Sequence, residues 1–118
     1  MPRRNHYGHT PACHLAFALA HPVRRHILLT AAQEGRVHAL DVQREFPEYC
    51  RTSTRDVLHV MRDRGVLRTA ETIPDCQGKP SQVCYRLTDS AHQGLLELSA
   101  FLTELSSALE AHRDETHP

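Results

Sequence analysis

Long apolar runs, tryptophan and catalytic motifs are all missing from this 118-residue sequence. No apolar run approaches the roughly 18 residues that a membrane span needs, so we expect no transmembrane helix. The basic N-terminus has no long apolar stretch behind it, which argues against a secretory signal and favours a cytoplasmic protein. There is no glycine-rich phosphate loop, nucleophile elbow or paired-carboxylate motif, so we expect that the chain is not an enzyme.

An excess of charge of one sign is also missing. The chain has 14 basic and 14 acidic residues, and Lys79 is its only lysine. The charges are nevertheless unevenly spread, with five arginines against two aspartates between Arg51 and Arg68, and six acids against one arginine from Asp89 onward. The neutral total counts against a general polyanion binder, whereas the basic middle segment favours a local contact with nucleic acid.

Cysteine pairs with metal-ligand spacing are absent as well. The sequence has four cysteines and ten histidines, but no C-x-x-C pair. The cysteine spacings match no common zinc module. In a cytoplasmic protein we therefore expect reduced thiols, some of them buried as small apolar groups.

Hydrophobic periodicity, with proline and glycine as breakers, predicts a mainly α protein with a small β-hairpin and a long C-terminal helix. We expect a mobile N-terminal arm over residues 1–11 and a short tail over 114–118. Between them the pattern predicts a domain over 12–88 and a terminal helix over 89–113. Before the terminal helix, the predicted helices cover 12–20, 22–34, 40–46 and 53–65, and the predicted strands cover 66–73 and 81–88. The three helices directly before the hairpin, together with the hairpin and its proline- and glycine-bounded tip, are typical of a winged helix-turn-helix.

The fourth predicted helix has the clearest local signals. Ser53, followed three residues later by Asp56, resembles a capping box and predicts the helix start. Its predicted buried stripe consists of Thr54, Val57, Leu58 and Met61. In the second helix the predicted buried stripe consists of Val23, Ile27, Leu28 and Ala31. Gly35 is the expected C-terminal cap of that second helix.

The terminal helix has leucines at alternating spacings of three and four residues. They are Leu95, Leu98, Leu102, Leu105 and Leu109. About two heptads are too few for a free-standing coiled coil, so we expect this seam to dock on a second copy of the chain.

A DNA-reading surface is predicted on the helix that begins at Ser53. Arg55, His59 and Arg62 recur at i, i+4 and i+7, which places three donors along one face. The N-terminus of that helix and the hairpin tip supply the predicted phosphate contacts, which are Arg51, Thr52, Ser53, Thr54 and Lys79. A basic helix that only faces solvent would show the same three charges. The DNA-reading interpretation therefore depends also on the predicted hairpin and the predicted terminal helix.

Four segments together resemble the ArsR-type winged-helix repressors, with a similarity to HxlR-type regulators in the last of them. They are ALAHPVRRHILL, LDVQREF, TSTRDVLHVMRDRGVLR and VCYRLT. The resemblance spans roughly residues 15–109 and implies a homodimer on a two-fold operator in double-stranded DNA, repressing nearby genes. FPEYC makes the link before the recognition helix longer than usual, and Val37–Leu40 stands where many such metal sensors have a thiol pair. The resemblance therefore does not extend to that metal site.

Two clusters could make the regulator responsive to a signal. His6, His9, Cys13 and His14 are imidazole and thiolate groups of the kind that bind zinc, nickel or copper. The alternative is an arm that is histidine-rich without binding a metal. Thiol oxidation would involve Cys50, beside Arg51, or the pair Cys76 and Cys84, which could face each other across the hairpin. Cys84 could equally point into the core.

The sequence favours a sequence-specific DNA-binding regulator that acts as a homodimer. The alternative is a winged-helix protein-interaction module that uses its acidic, leucine-rich terminus to bind a partner without gripping DNA strongly. The single lysine and the zero net charge favour this alternative slightly.

Overall fold

The structure is a computed structural model that describes the backbone of residues 11–116 and the side chains of residues 14–113. Its elements, in chain order, are α1 (Pro11–Leu19), α2 (Pro22–Glu34), α3 (Ala39–Glu45), α4 (Arg51–Asp63), β1 (Leu67–Pro74), β2 (Pro80–Leu87) and α5 (Asp89–Thr116). The expectation of a mainly helical protein with one antiparallel hairpin and a long C-terminal helix is confirmed. Helix α1 begins at Pro11 and α5 continues to Thr116, so both helices reach into the segments predicted as arm and tail. Residues 1–10 and 117–118 lie outside the described part.

Helix α2 begins and ends as the proline and glycine signals predict. His21 is the N-cap, and its Nδ1 accepts a hydrogen bond from the backbone N–H of Val23 at 3.3 Å. Pro22 follows in the first turn, where its missing N–H costs nothing. Gly35 has φ +84° and donates its N–H to the Ala31 carbonyl at 3.0 Å, which closes the helix in a left-handed cap.

Helix α4 does not start where the sequence predicted. Its N-cap is Cys50, whose Sγ accepts a hydrogen bond from the Ser53 N–H at 3.4 Å. The capping box of Ser53 and Asp56 is therefore wrong, and Ser53 lies in the first turn. Serine is a far commoner N-cap than cysteine, which is why the sequence pattern favoured the later start.

The core lies between α1, α2, α3, α4, the base of the hairpin and the first turn of α5. The predicted stripe of α2 is buried in full. In α4, Thr54, Leu58 and Met61 are buried, while Val57 is only half-buried. The remaining buried apolar residues are Leu15, Ala18, Val37, Val42, Val66, Leu67, Cys84, Tyr85 and Ala91.

The hairpin is anchored to the linker between α2 and α3. Val37 and Tyr85 exchange two backbone hydrogen bonds of 2.9 and 2.8 Å, which forms a bridge outside the two named strands. Within the hairpin, Leu67 pairs with Leu87 and Thr69 with Tyr85, after which the register shifts before Thr72. This irregularity is a bulge at Ala70 and Glu71, and it turns the Glu71 carboxylate toward the linker.

Helix α5 packs its first turns against α1 and leaves its second half without that support. Leu95 and Leu98 are half-buried, but every described residue from Ser99 onward is exposed. A helix of 28 residues is roughly 42 Å long, more than the short α1 can cover. None of the described helices is both long and apolar enough to cross a membrane.

Candidate nucleic-acid interface

A cleft of about 290 Å³ separates α4 from the second strand of the hairpin. Helix α3 closes one end of it. The lining residues are Ala39, Leu40, Gln43, Arg51, Arg55, Leu58, His59, Ser81, Gln82, Val83 and Tyr85. They include two arginines and no carboxylate, so the cleft has a positive electrostatic character.

The basic side of the cleft comes from one face of α4. Arg51, Arg55 and His59 are spaced by four residues, which places them on successive turns of the same face. The two arginines are exposed, whereas His59 is half-buried with its ring 6.5 Å from the Tyr85 ring. Three predicted DNA-contacting side chains therefore do lie together, on the flank of α4 that faces the hairpin.

Arg62 continues this flank but does not line the cleft. Its Nε and Nη2 donate to Oδ1 of Asp63 at 3.2 and 3.1 Å. Burial raises the pKa of the Tyr85 hydroxyl, and the nearby charges of Arg62 and Arg55 oppose that rise. Arg62 is thus close to the cleft, with its charge partly offset by Asp63.

Thr54 is wrongly placed among the predicted phosphate contacts. Its side chain is 0% exposed, and its Oγ1 has no hydrogen-bond partner among the described residues. It belongs to the buried stripe of α4. Thr52 and Ser53 are exposed in the first turn, as predicted for phosphate contacts.

Lys79 lies at the hairpin tip, away from the cleft lining. Its side chain is exposed, and its backbone N–H donates to Asp75 Oδ1 at 2.9 Å. The same Asp75 oxygen accepts from the Gln77 N–H at 2.8 Å, so an acidic residue organises the tip. Any contact made by Lys79 is separate from those made in the cleft.

Several cleft residues were missed by the sequence analysis. Gln43 comes from α3, and Ser81, Gln82 and Val83 come from β2. Leu40 and Val83 are exposed apolar side chains, at 41% and 42% of their full accessibility. Alternation along β2 could have placed Ser81 and Val83 on one strand face. No local signal connects Gln43 with a strand forty residues later.

A carboxylate and two arginines hold the hairpin against the linker before α3. Arg36 Nη1 donates to Glu71 Oε2 at 2.7 Å, and Arg86 donates to both carboxylate oxygens at 3.2 and 3.1 Å. Arg86 also reaches the Gly35 carbonyl at 3.2 Å. The hydrogen bond from Arg36, and then that from Arg86, lowers the pKa of Glu71 to about 2. This network adds side-chain contacts to the backbone bridge between Val37 and Tyr85 that also joins the hairpin to the linker.

The three described cysteines have different environments. Cys50 is exposed, and its pKa is lowered, chiefly by the hydrogen bond with the Ser53 hydroxyl 3.2 Å away and then by the Ser53 N–H. The predicted cause, the charge of Arg51, is not among the contributions that lower it. Burial raises the pKa of the Cys84 thiol, while Cys76 is exposed in the hairpin tip.

Cys76 and Cys84 do not face each other, so that interpretation is wrong. Cys76 lies in the turn beyond the last pair, Pro74 with Pro80, whereas Cys84 lies well inside β2 on the core side. Cys84 is roughly 13 Å along the strand from Pro80 at about 3.3 Å per residue. A disulfide needs Cα atoms within about 7 Å.

The predicted metal ligands fall mostly outside the described residues. His6 and His9 lie before residue 11, and the side chain of Cys13 is not described. His14 is described, and its Nδ1 is buried without a hydrogen-bond partner in the described part of the chain. Within that same part no three His, Cys, Asp or Glu side chains come together as a metal site would need.

The leucine seam of α5 divides into two parts. Leu95 and Leu98 are half-buried, and together with Leu102 they line a groove beside Leu19 of α1. Leu102, Leu105 and Leu109 are 50%, 40% and 62% exposed, and Phe101 beside them is 55% exposed. Scattered exposed leucines are ordinary, but a continuous apolar helix face of this length is typical of an interaction surface.

No protein-family model, curated protein or solved structure matches this chain.

Proposed function

We propose that this protein is a sequence-specific DNA-binding regulator of the winged-helix type, which acts as a homodimer and represses genes near its operator. The observation that carries the proposal is the cleft in which Arg51, Arg55 and His59 line one face of α4 opposite the hairpin, without a carboxylate in the lining. Helix α4 is the recognition helix, and the hairpin is the wing.

The chemistry of the cleft matches the edges of base pairs in the major groove. An exposed arginine such as Arg55 can donate two hydrogen bonds to O6 and N7 of guanine, and the amide of Gln43 can accept a hydrogen bond from N6 and donate one to N7 of adenine. The exposed side chains of Leu40 and Val83 suit the methyl group of thymine. A surface that offers all three contacts is suited to reading sequence as well as binding phosphate.

The exposed half of α5 supports the homodimer. Pairing two copies about a two-fold axis would bury the seam of Leu102, Leu105 and Leu109, which α1 leaves uncovered. Two recognition helices related by that axis read half-sites about 34–36 Å apart, which is one turn of DNA. The operator is therefore expected to be palindromic.

The decisive experiment selects binding sites from random duplex DNA and then compares variants by fluorescence anisotropy on the selected site. Arg55→Ala should weaken binding by about 1–3 kcal/mol and relax the preference at one base position. Arg25→Ala, which removes an exposed arginine on α2 outside the cleft, should leave both unchanged. Binding of the unaltered protein should also weaken steeply as salt rises.

The binding measurements distinguish a base contact by Arg55, a phosphate contact by Arg55 and the absence of DNA binding. An equal loss of affinity on selected and random DNA would mean that Arg55 contacts phosphate and does not read a base. If the unaltered protein binds no DNA even at low salt, the regulator proposal fails. Repeating the titration with zinc, nickel or copper tests whether the cluster of His6, His9, Cys13 and His14 is a metal sensor. Repeating it with oxidised protein tests whether Cys50 is a redox sensor.

A protein-interaction module is the second candidate function. The apolar face of α5 favours it, since that face could bind another protein without any use of the cleft. In that case the Arg55→Ala variant would retain its full activity toward the partner, and loss of binding would follow changes on α5 alone.

A further inference from the structure

The cleft between α3, α4 and β2 has two sides of different chemistry. Arg51, Arg55 and His59 form the basic side on α4. The other side includes two apolar residues, Leu40 of α3 and Val83 of β2, which are 41% and 42% exposed. Single exposed apolar residues are ordinary, but these two come from elements that pack against each other and line the same cleft. A ligand that fits the cleft therefore has hydrogen-bond acceptors beside an apolar group.

The size of the cleft favours the edge of a large ligand over a whole small molecule. Its volume is about 290 Å³, whereas pockets that enclose a small-molecule ligand hold roughly 300–1,000 Å³. Leu58 and Tyr85 also line it and are only 1% and 4% exposed, so they form its bottom. The exposed parts of Leu40 and Val83 lie nearer the solvent, where an edge of a base pair can reach them.

Helix α3 presents an apolar and an amide side chain together. Leu40 and Gln43 are three residues apart, so they lie on one helix face with a rise of roughly 4.5 Å between them. In the major groove, a T·A pair offers the thymine methyl group and, from its other base, N6 and N7 of adenine. Leu40 suits the methyl group and the Gln43 amide suits the adenine, so the two side chains match the two halves of one base pair.

The polar lining distinguishes thymine from 5-methylcytosine, which has the same methyl group. Cytosine presents an N4 donor that proteins read with a carboxylate, whereas thymine presents the O4 acceptor. No carboxylate lines the cleft. The Asp41 carboxylate of α3 instead accepts the His38 N–H at 3.0 Å. Arg51 and Arg55 form no side-chain hydrogen bond or ion pair within the described part of the chain, so their donors are available to acceptors such as O4 of thymine and O6 of guanine.

We infer that Leu40 and Gln43 read one T·A base pair beside the guanine that Arg55 binds, with the thymine methyl group in contact with Leu40 and Val83. Helix α3 is then a second reading element, and base specificity does not come from α4 alone. This assignment rests on the proposed function, because it gives base partners to a cleft that is proposed to bind DNA.

The test measures fluorescence anisotropy on the selected operator, with each thymine of one half-site replaced in turn by deoxyuridine, which lacks only the methyl group. At one position the unaltered protein should lose about fourfold in affinity, the effect of one buried methyl group. Leu40→Ala should bind the thymine and uracil duplexes equally at that position. Leu29→Ala is the matched control and should keep the fourfold difference, since Leu29 is an exposed leucine on α2 outside the cleft.

The adenine of the same base pair tests Gln43. Replacing it by 7-deazaadenine, which lacks N7, should weaken binding of the unaltered protein and leave binding of Gln43→Ala unchanged. Putting a 5-methylcytosine·guanine pair in place of the T·A pair should also weaken binding, although the methyl group is kept. Equal or tighter binding of that duplex would overturn the assignment to thymine.

Failure of this assignment is distinguishable from failure of the proposed function. If the operator is bound but no uracil substitution weakens binding, or Leu40→Ala still distinguishes thymine from uracil, the reading of thymine by α3 is wrong and the regulator proposal stands. If the unaltered protein binds no DNA, both are wrong. Val83→Ala, on the β2 side of the cleft, is the second variant if Leu40→Ala does not fold, and it should reduce the fourfold difference. An undiminished difference in Val83→Ala would remove Val83 from the methyl contact.

Discussion

Three charged side chains help to join the hairpin to the linker between α2 and α3. Glu71 is at a bulge, where the strand register shifts, and its carboxylate meets Arg36 and Arg86 from two other segments. No local sequence pattern predicts this meeting, because Arg36 and Glu71 are far apart in the chain. The three groups are partly exposed, so their contribution to stability is screened by water and salt.

Glu71→Gln should change the pH dependence of stability. The folded-state pKa of Glu71, about 2, lies below the roughly 4.3 of an unfolded chain. Its ion pair therefore stabilises the folded state fully above about pH 5, and this contribution is lost as the pH falls toward 2. Thermal unfolding should show a lower Tm for the variant at pH 6 and a shrinking difference between pH 5 and 2.

Glu48→Gln is the matched control for this experiment. Glu48 is an exposed carboxylate in the turn before α4, and its removal should leave the pH profile unchanged. An equal effect of both substitutions would show that net charge, and not the contact with the two arginines, controls acid stability. High salt should also reduce the effect of Glu71→Gln.

Helix α5 is held to α1 by an unusually close approach at Gly94. A Cβ built on Gly94 would come within 2.5 Å of Leu15 Cδ1. Leu15 is buried, and its Cδ1 would have to move to admit a Cβ at Gly94. The glycine is there for packing, because glycine inside a helix otherwise costs about 1 kcal/mol relative to alanine.

Gly94→Ala should destabilise the protein by about 1 kcal/mol, because overpacking of roughly 2 kcal/mol exceeds the gain in helix propensity. In a Leu15→Ala background the same change should stabilise by about 1 kcal/mol, since the clash is gone. Urea unfolding of the four proteins measures this. Equal stabilisation by Gly94→Ala in both backgrounds would mean that α1 and α5 are not in close contact.

The elements themselves were largely predictable, and their ends less so. Proline and glycine marked the limits of α2, since both act through the backbone of the residue itself. The start of α4 was missed because the Cys50 thiol takes the capping position that Ser53 was expected to hold. Arg51, Arg55 and His59 lie on one helix face by spacing alone, but whether that face meets the hairpin depends on the position of β2.

At the scale of the whole molecule, the second half of α5 is an apolar helix face without a described neighbour in its own chain. Leu102, Leu105 and Leu109 continue the seam beyond the half-buried Leu95 and Leu98, and they are 50%, 40% and 62% exposed. Burying such side chains is worth about 25 cal/mol per Å² of apolar surface. The α5 helix of a second copy would therefore bury the apolar side chains that one chain leaves exposed.

The double variant Leu102→Ser/Leu105→Ser should convert the proposed dimer into a monomer. Sedimentation equilibrium at micromolar concentration measures the change, because the serines remove most of the apolar surface from the centre of the seam. Leu96→Ser is the control, since Leu96 is 56% exposed and lies outside the heptad spacing. If the unaltered protein is itself a monomer at 100 µM, the homodimer proposal is wrong.

The sequence by itself determined the order and type of the elements, the buried stripe of α2 and the leucine seam, because these follow from side-chain periodicity and backbone preferences that act over a few residues. Only the tertiary structure decided that Cys76 and Cys84 lie apart and that Glu71 joins two arginines. Each of these depends on contacts between segments distant in the chain. The burial and the electrostatic attraction that stabilise these contacts arise only when distant segments meet, so no local sequence pattern encodes them.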